Sequence, residues 1–517
     1  MRNLQSSFVM GLFFSILCSC SAGTEQLYEQ TRQELSQKEY DKAEDLLLEW
    51  LQAEPRNADA LTLLARAQLG LGRGVSAIAT LDRLAATGNL PPDYRILRGD
   101  AELLRKRYDA AMREVQGLPS SEAWRVRALA AIGLQRGSDA ENAFHEGLVA
   151  SGAKAPLRGE YALFLLDRGD IAKAEEQVRE AVREDPNALA PMLASAQISI
   201  TKGDLAAALA TYRKARKIYP DSRSVLIGLA EALADLDQYQ AMTPLIDELY
   251  ALAPTDIAVV YLEARVLAGQ GDWTVVRDLL QTREDELTDM PEAVLLYARA
   301  LLELGQDEQA LARLSPLIRK WPKLTGARRT LAEAQISTGE VATAIATLQP
   351  AMRGSPSPEI LQVMAKAQQE LGNSAEAATY RQRAQRAALD RAAKDRSLGE
   401  AALTRDAWMV AESAFNRVIK SQGRHDAEVL SKLAYAQGRL GKFQDALRNA
   451  EAAFELAPQN PAVMDTLGWL LFRTGKDRPR GFALLENAVR LAPDDELIAQ
   501  HWQRARSSAE QTALTKK

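Results

Sequence analysis

The stretch LAYAQGRLGKFQDALRNAEAAFELAP, residues 433–458, contains the pattern that decides the fold. It places a small residue, Ala434, seven positions before Gly441 and twelve before a second small residue, Ala446, and it ends on Pro458. Glycine readily adopts the positive φ that ends a helix, and proline suits the first turn of the next one. The stretch therefore predicts two antiparallel helices that touch through their small residues.

The same spacing recurs along almost the whole chain. Small residues return about every 34 positions, and six successive steps are 34 residues each. The series, which only threonine interrupts, is Thr31, Ala65, Gly99, Ala128, Ala162, Ala196, Ala230, Ala264, Ala298, Ala332, Ala365, Gly399, Ala434 and Gly468. A fixed period of this length is typical of stacked helix pairs that bury their apolar faces only against each other. We predict an all-α, superhelical solenoid of about 14 helix pairs.

The second small residue and the turn glycine keep this register with few exceptions. Met242 and Val276 replace the second alanine in two units, and Asp237 replaces one turn glycine. Elsewhere the second alanines are Ala43, Ala77, Ala111, Ala140, Ala174, Ala208, Ala310, Ala344, Ala377, Ala411 and Ala446. The turn glycines are Gly72, Gly169, Gly203, Gly271, Gly305, Gly339, Gly441 and Gly475. Small side chains at both positions would let the helix axes approach to about 8–10 Å.

This pattern resembles the tetratricopeptide repeat (TPR) family. The clearest copies are residues 433–458 and LGWLLFRTGKDRPRGFALLENAVRLAP at 467–493, followed by LLDRGDIAKAEEQVREAVREDP at 165–186. The resemblance implies a right-handed superhelix over residues 20–493 in which the first helix of each pair lines a concave groove. Residues 494–517 are predicted to form a capping helix and tail. The family serves as a binding scaffold in many systems, so the resemblance implies protein partners without naming them.

Residues 1–19 are predicted to be a lipoprotein signal peptide. The apolar run FVMGLFFSIL at 8–17 is too short to span a bilayer and fits the core of a secretory signal. The sequence Leu17-Cys18-Ser19-Cys20 resembles the bacterial lipobox, which implies that Cys20 is the lipidated first residue of the mature chain. Ser21 after it favours the periplasmic face of the outer membrane. The alternatives are an ordinary signal peptide cut after Ala22, or a buried helix.

Composition narrows the classes of partner. No cysteine follows Cys20, so the mature chain would depend on packing without a disulfide. The formal net charge of −5 is mild for 517 residues and argues against nucleic acid as a partner. It also argues against binding to anionic membranes, so we expect membrane contact through the lipid anchor only.

No catalytic, metal or cofactor site is predicted. The three histidines, His145, His425 and His501, lie far apart and fit surface or helix-packing roles. The glycines at 70, 72 and 74 lack the preceding strand that a dinucleotide site needs. The Ser199/Lys202 spacing arises often by chance on helices. We therefore predict a non-enzymatic protein without cofactor.

The predicted partner site lies on the first helices. Residues three before and one after each first small residue should face the groove, which places Asp465 and Ser431 there as well. The candidate residues are Tyr261, Arg265, Arg299, Arg329, Arg396, Tyr435 and Trp469. Such a basic stripe fits the carboxylates of an acidic peptide or an anionic polysaccharide. The alternative is that the arginines pair with nearby acids such as Glu263, Glu303 and Glu333 and only solvate the surface.

These observations favour a scaffold that holds the partners of an envelope assembly. The repeats, with the closing unit DTLGWLLF at 465–472, resemble the TPR lipoproteins that accompany PEP-CTERM/exosortase and exopolysaccharide-export systems. Two alternatives remain: a periplasmic guide that binds an anionic polysaccharide, and a helper of outer-membrane protein, secretin or peptidoglycan machinery. We expect charge reversal at Arg265, Arg299 and Arg329 to abolish partner capture without unfolding the chain.

Overall fold

The computed structural model describes residues 25–515, without the side chains of 325 and 509–515. These residues form 29 α-helices and one 3₁₀ helix, with no β-strand among them, so the predicted all-α fold is confirmed. None of these helices has both the length and the apolar composition needed to cross a bilayer. The predicted signal peptide and Cys20 lie outside the described residues. The handedness of the superhelix stays a prediction.

The chain divides into two compact units. Of the described residues, the first comprises 25–232 with Pro244–Val259, and the second Leu233–Thr243 with 260–515. The first contains α1 (25–36), α2 (Tyr40–Ala53), α3 (Ala58–Gly70), α4 (Gly74–Ala85), α5 (Tyr94–Leu104), α6 (Tyr108–Glu114), α7 (Ser121–Gly133), α8 (Gly137–Val149), α9 (Ala155–Asp167), α10 (Ile171–Glu184), α11 (Leu189–Thr201) and α12 (Leu205–Ile218). Residues of both units occur in α13 (Arg223–Ala234), α14 (Tyr239–Leu252) and α15 (Ile257–Gln270).

The second unit holds the remaining helices. They are α16 (Trp273–Gln281), α17 (Glu284–Leu287), α18 (Pro291–Glu303), α19 (Asp307–Lys320), α20 (Thr325–Ser337), α21 (Val341–Leu348), the 3₁₀ helix Gln349–Met352, α22 (Pro358–Glu370), α23 (Ser374–Thr404), α24 (Trp408–Gln422), α25 (Ala427–Arg439), α26 (Phe443–Leu456), α27 (Pro461–Thr474), α28 (Arg478–Leu491) and α29 (Glu496–Thr515). Within each unit, consecutive helices joined by short turns pack side by side as antiparallel pairs. Helix α29, in the segment predicted as a cap, packs on α27 and α28.

The small residues lie where the paired helices touch. Each alanine of the first series is at most 2% exposed, and every alanine of the second series is fully buried. In the last pair both positions are glycine. A Cβ on Gly481 would lie 2.8 Å from the carbonyl oxygen of Gly468, which leaves no room for a side chain. Backbone contact at the small positions therefore sets the separation of the pairs.

The turn within each pair has positive φ, whether or not its residue is glycine. Seven positions after each first small residue, the glycines have φ from 71° to 87°; Gly372 belongs to this set although the sequence pattern did not single it out. Five other residues adopt the same conformation with φ from 55° to 60°: Lys38, Lys106, Gln135, Asp237 and Asp406. The replacement of glycine at Asp237 therefore leaves the turn unchanged.

One helix departs from the paired pattern. Helix α23 runs for 31 residues and serves as the second helix of one pair and the first of the next. Its sequence contains no proline and only one glycine, Gly399, among alanine, arginine and glutamate residues of high helix propensity. Because nothing breaks the helix after the second small residue, Ala377, the usual turn between pairs is absent here.

Each unit also contains a contact between segments far apart in sequence. In the first, the backbone N–H of Asp41, in the first turn of α2, donates to Asp221 Oδ2 at 3.1 Å across 180 residues. In the second, Gln238 Nε2 donates to Glu412 Oε2 at 3.1 Å across 174 residues. Lys442 Nζ donates to Gln238 Oε1 at 2.9 Å and to Glu412 Oε2 at 2.7 Å. These hydrogen bonds provide donors for the Glu412 carboxylate, which is only 3% exposed and would be costly to bury without them.

Replacing Lys106 or Gln135 by glycine should stabilise the protein. A non-glycine residue at positive φ destabilises the folded state by about 1–2 kcal/mol. Glycine avoids that strain but makes folding about 0.5–1 kcal/mol less favourable, because its backbone loses more conformational entropy. We expect a gain of about 0.5 kcal/mol per change, measured as a higher urea midpoint. The matched control is Gly305→Ala at φ 71°, where the added Cβ meets nothing within 4 Å and only backbone strain can act. Lower midpoints for both glycine variants would contradict this account.

Candidate functional site

The predicted site residues all lie on first helices of the second unit. Arg265 and Tyr261 are on α15, Arg299 on α18, and Arg329 on α20. Arg396 is in the second half of α23, where that helix acts as a first helix. Tyr435 and Trp469 follow on α25 and α27, and all seven side chains are half-buried. Each of these residues lies three before or one after the small residue of its first helix, and α22 is the one first helix between α15 and α27 that carries none of them.

The arginines of this series are paired with carboxylates. Arg265 Nη2 lies 3.0 Å from Asp235 Oδ1, and Arg299 Nη2 lies 2.6 Å from Glu303 Oε1. Arg299 also pairs with Glu333 of the next first helix, and Arg329 Nε lies 3.7 Å from the same carboxylate. Burial alone would lower the pKa of Arg265, but nearby Tyr261 and Asp235 raise it overall. These ion pairs with Glu303 and Glu333 are those that the alternative reading of the sequence anticipated.

Arg396 belongs to a larger charge network between α23 and α25. Its guanidinium lies 2.7 Å from Asp426 and 2.5 Å from Glu428. Lys432 Nζ contacts Glu400 and Glu428, each at 2.6 Å. The hydrogen bond from Lys432 is the largest of the effects that hold the pKa of Glu400 below its usual value. We call the ion-paired residues 235, 265, 299, 303, 329, 333, 396, 400, 426, 428 and 432 the charge ladder.

The charge ladder contains both signs in similar number. Its four arginines and one lysine face Asp235, Asp426 and four glutamates, so this surface is close to electrically balanced. Such a surface can bind a charged partner only by exchanging internal ion pairs for new ones. Whether the candidate arginines contact a partner stays a prediction.

Two residues that the sequence placed in the groove are instead buried between helices. Ser431 is 5% exposed and its hydroxyl donates to Thr466 Oγ1 at 3.0 Å, while Asp465 is 3% exposed. The position three before the small residue therefore faces the neighbouring first helix here. In the last pair that neighbour is α29, whose His501 was not linked to any partner by sequence.

His501 of α29 contacts α27 through a hydrogen bond and a ring stack. Its Nδ1 lies 2.7 Å from Asp465 Oδ2, and its ring stacks on Trp469 with centroids 4.4 Å apart and planes 8° apart. His501 is only 4% exposed. Asp465 Oδ1 has no hydrogen-bond partner, and burial raises the pKa of Asp465 despite the opposing effect of His501. The packing role predicted for this histidine agrees with these contacts, but its carboxylate partner was missed.

Beside this contact lies a crevice between α25 and α27. It is lined by Tyr435, Gly438, Arg439, Thr466, Trp469, Leu470 and Arg473. The crevice is narrow because a Cβ on Gly438 would lie 2.7 Å from Leu470 Cδ2. We call Trp408, Tyr435, Arg439, Trp469 and Arg473 the aromatic–arginine cluster. The sequence analysis missed Trp408, Arg439 and Arg473. The two arginines could have been found from their shared register, because each lies five positions after the small residue of its helix, Ala434 or Gly468.

The chemistry available to these surfaces is that of hydrogen bonds and ion pairs. Among the described residues, no group of three or more His, Cys, Asp or Glu side chains could hold a metal ion. Arginine supplies a planar fork of donors that matches a carboxylate, and aromatic rings hold such a fork in place. Both surfaces are therefore suited to recognition of charged groups.

Four segments of the chain match tetratricopeptide repeat models: residues 34–101, 192–222, 295–357 and 431–496. The chain is also similar to a chain in the crystal structure of the APC/C hetero-tetramer Cut9-Hcn1. The similarity covers 93% of this chain and 96% of that chain, with 15% sequence identity and a TM-score of 0.34. The comparison with curated proteins gave no match. The repeat models thus confirm the tetratricopeptide character that the 34-residue period indicates, and this fold typically serves as a non-enzymatic scaffold for protein–protein interactions.

Asp465→Asn should stabilise the protein at neutral pH. Because the folded-state pKa of Asp465 is raised above the ordinary 3.8, the stability gained from the protonated form is fully present below that value and is lost as pH rises through the folded pKa. The amide imitates the protonated carboxyl, so we expect a gain of about 1 kcal/mol at pH 7 that disappears near pH 3.5. Thermal unfolding across pH measures this, with exposed Asp494→Asn as control. A loss at pH 7 that shrinks in acid would instead show a stabilising carboxylate.

Proposed function

We propose that this chain of tetratricopeptide repeats is a scaffold lipoprotein that holds the protein partners of an envelope assembly. The proposal rests chiefly on the series of charged and aromatic side chains that the first helices of the second unit carry three before or one after their small residues. A surface repeated in this way suits an extended partner, because each helix pair can contact one part of it. The chain would thus bind without chemical change to its partner.

The proposed location is the periplasmic face of a Gram-negative outer membrane. It rests on the lipobox-like sequence at residues 17–20, with Cys20 as the acylated residue, and on Ser21 after it. The proposed pathway is exopolysaccharide export or an exosortase-linked system, because the leucine- and alanine-rich repeats and the closing unit DTLGWLLF resemble the lipoproteins of those systems. A lipid anchor at one end would leave the repeats free to collect soluble or membrane-bound partners.

The alternative of a guide for an anionic polysaccharide is less well supported. Sugar rings bind by stacking on exposed aromatic faces, yet His501 covers one face of Trp469 and Arg439 covers one face of Trp408. The charge ladder also presents carboxylates that would repel a polyanion. Helper roles in outer-membrane protein, secretin or peptidoglycan machinery use the same kind of scaffold, and the captured proteins will distinguish them.

Palmitate labelling should depend on Cys20. In a Gram-negative host fed with labelled palmitate, we expect the wild-type chain to carry label in the outer-membrane fraction and the Cys20→Ala variant to carry none. The matched control is Cys18→Ala, which removes the other cysteine of the segment but keeps the residue that would be acylated. Label on Cys20→Ala equal to wild type, or its loss in Cys18→Ala alone, would disprove the assignment.

Neutralising the candidate arginines should weaken partner capture. We expect the triple variant Arg265→Gln, Arg299→Gln and Arg329→Gln to lower recovery of cross-linked envelope partners at least about ten-fold, since each charge-assisted hydrogen bond is worth about 1.5–3 kcal/mol. Glutamine is preferable to glutamate because charge reversal would place a carboxylate beside Asp235, Glu303 and Glu333.

The control for this experiment removes three arginines that lie elsewhere. Arg183, Arg283 and Arg448 pair with acids three positions away in their own segments, so changing them to glutamine removes equal charge. Unchanged capture by the Arg265, Arg299 and Arg329 variant, with its thermal midpoint also preserved, would show that these arginines only solvate the surface.

A further inference from the structure

We propose that Arg439 and Arg473 form a recognition site for an acidic peptide segment of a protein partner. The inference rests on the proposed scaffold function and specifies what one end of the scaffold binds. It places the contact at the crevice between α25 and α27, not on the charge ladder.

The first observation is that these two arginines differ from those of the charge ladder. Among the described residues, no carboxylate lies within ion-pair distance of Arg439 or Arg473, whereas Arg265, Arg299, Arg329 and Arg396 each pair with at least one. Both side chains are exposed. Their positive charge is therefore not cancelled locally and is available to an external anion.

The second observation is that the guanidinium of Arg439 is held in position. It lies 4.2 Å from the centre of the Trp408 ring, and its Nη1 donates to the Tyr435 hydroxyl at 3.3 Å. Tyr435 in turn meets the edge of Trp408, with centroids 5.7 Å apart. An arginine fixed on aromatic faces loses little further entropy on binding, so its remaining N–H donors can bind a carboxylate more tightly.

The third observation is the matching register of the two arginines. Each lies five positions after the small residue of its helix, and the two first helices are in contact. Packed helices lie about 8–10 Å apart, close to the roughly 7 Å between alternate side chains of an extended peptide. A strand-like segment with acidic residues at alternate positions could therefore engage both guanidiniums at once.

The turn after α27 adds positive charge at the same end. The sequence RTGKDRPR at 473–480 contains exposed Lys476 and Arg478, and no ion pair is formed by either within the described part of the chain. The acid in this turn, Asp477, caps α28 by accepting the backbone N–H of Arg480 at 3.1 Å. Arg480 itself is paired with Glu451. The unpaired charge near the crevice is thus basic, which complements an acidic segment.

A peptide fits this surface better than a sugar polymer. The ring of Trp469 is stacked on His501 and the ring of Trp408 lies under Arg439, so one face of each is already occupied. What the cluster presents outward is a pair of guanidiniums beside a narrow crevice. Guanidiniums recognise carboxylates through paired N–H donors, so this surface suits the acidic side chains of a peptide.

The test is the binding of a fluorescein-labelled hexaglutamate peptide to the purified full-length protein in a neutral detergent at low salt. We expect saturable binding by fluorescence anisotropy, and at least a ten-fold weaker affinity in the Arg439→Gln/Arg473→Gln variant. The matched control is Arg448→Gln/Arg480→Gln, which removes the same charge from paired arginines of α26 and α28 and should change affinity less than three-fold. Near-ultraviolet circular dichroism reports whether each variant stays folded.

Three outcomes would overturn the proposal. These are no binding of hexaglutamate by the wild type, an equal loss in both variants, or tighter binding of a hexameric oligouronate or of vesicles containing anionic lipid at the same arginines. Failure here is distinguishable from failure of the scaffold proposal. If envelope partners are captured equally well by Arg439→Gln/Arg473→Gln, the scaffold stands and only this site is wrong.

Discussion

The whole structure depends on the close approach of two helix backbones within each pair. At the first small position the side chain is at most a methyl group or the buried hydroxyl residue Thr31, and at the second only Met242 and Val276 are large; all of these side chains are almost completely shielded from water. In the last pair even a methyl group is too large, since the backbones of Gly468 and Gly481 touch directly. Because bulk at the first small position would separate the helices, the larger apolar residues around it pack closely when it stays small. The 34-residue period of small residues in the sequence follows from that one helix–helix contact.

Much of the fold follows from this constraint and could be predicted from sequence. The small positions, the turn seven residues later and the all-helical pairs are local features, each decided by one or two residue types. What could not be predicted depends on neighbours. Lys38 and Gln135 adopt the turn conformation because the paired helices on either side impose it, although neither residue favours it. Helix α23 continues across a repeat boundary because it contains no proline or turn glycine there, and the sequence pattern gives no positive signal for such a continuation.

The candidate site was predictable in position but not in electrostatic character. Helical phase correctly located Arg299 and Arg396 on first helices, but each pairs both with an acid of its own helix and with an acid of the next repeat along the chain. Whether an arginine is neutralised therefore depends on which residue the adjacent helix places opposite. The same reasoning explains Asp465, which meets the C-terminal helix and its His501. The arginines that lack acids, Arg439 and Arg473, lie one turn further along the same helices as Tyr435 and Trp469.

The long-range contacts inside each unit affect how the protein responds to stress. A linear array ordinarily loses its end repeats one at a time, since each repeat is coupled only to its neighbours. Here the start of α2 is tied to Asp221, and Gln238 is tied to Glu412 and Lys442. Opening of α2 would break the bond to Asp221, and separation of Gln238 and Lys442 from Glu412 would remove two donors from the buried Glu412 carboxylate. Each unit should therefore resist gradual peeling and give way as a single cooperative block, which keeps its binding surface intact until the whole unit fails.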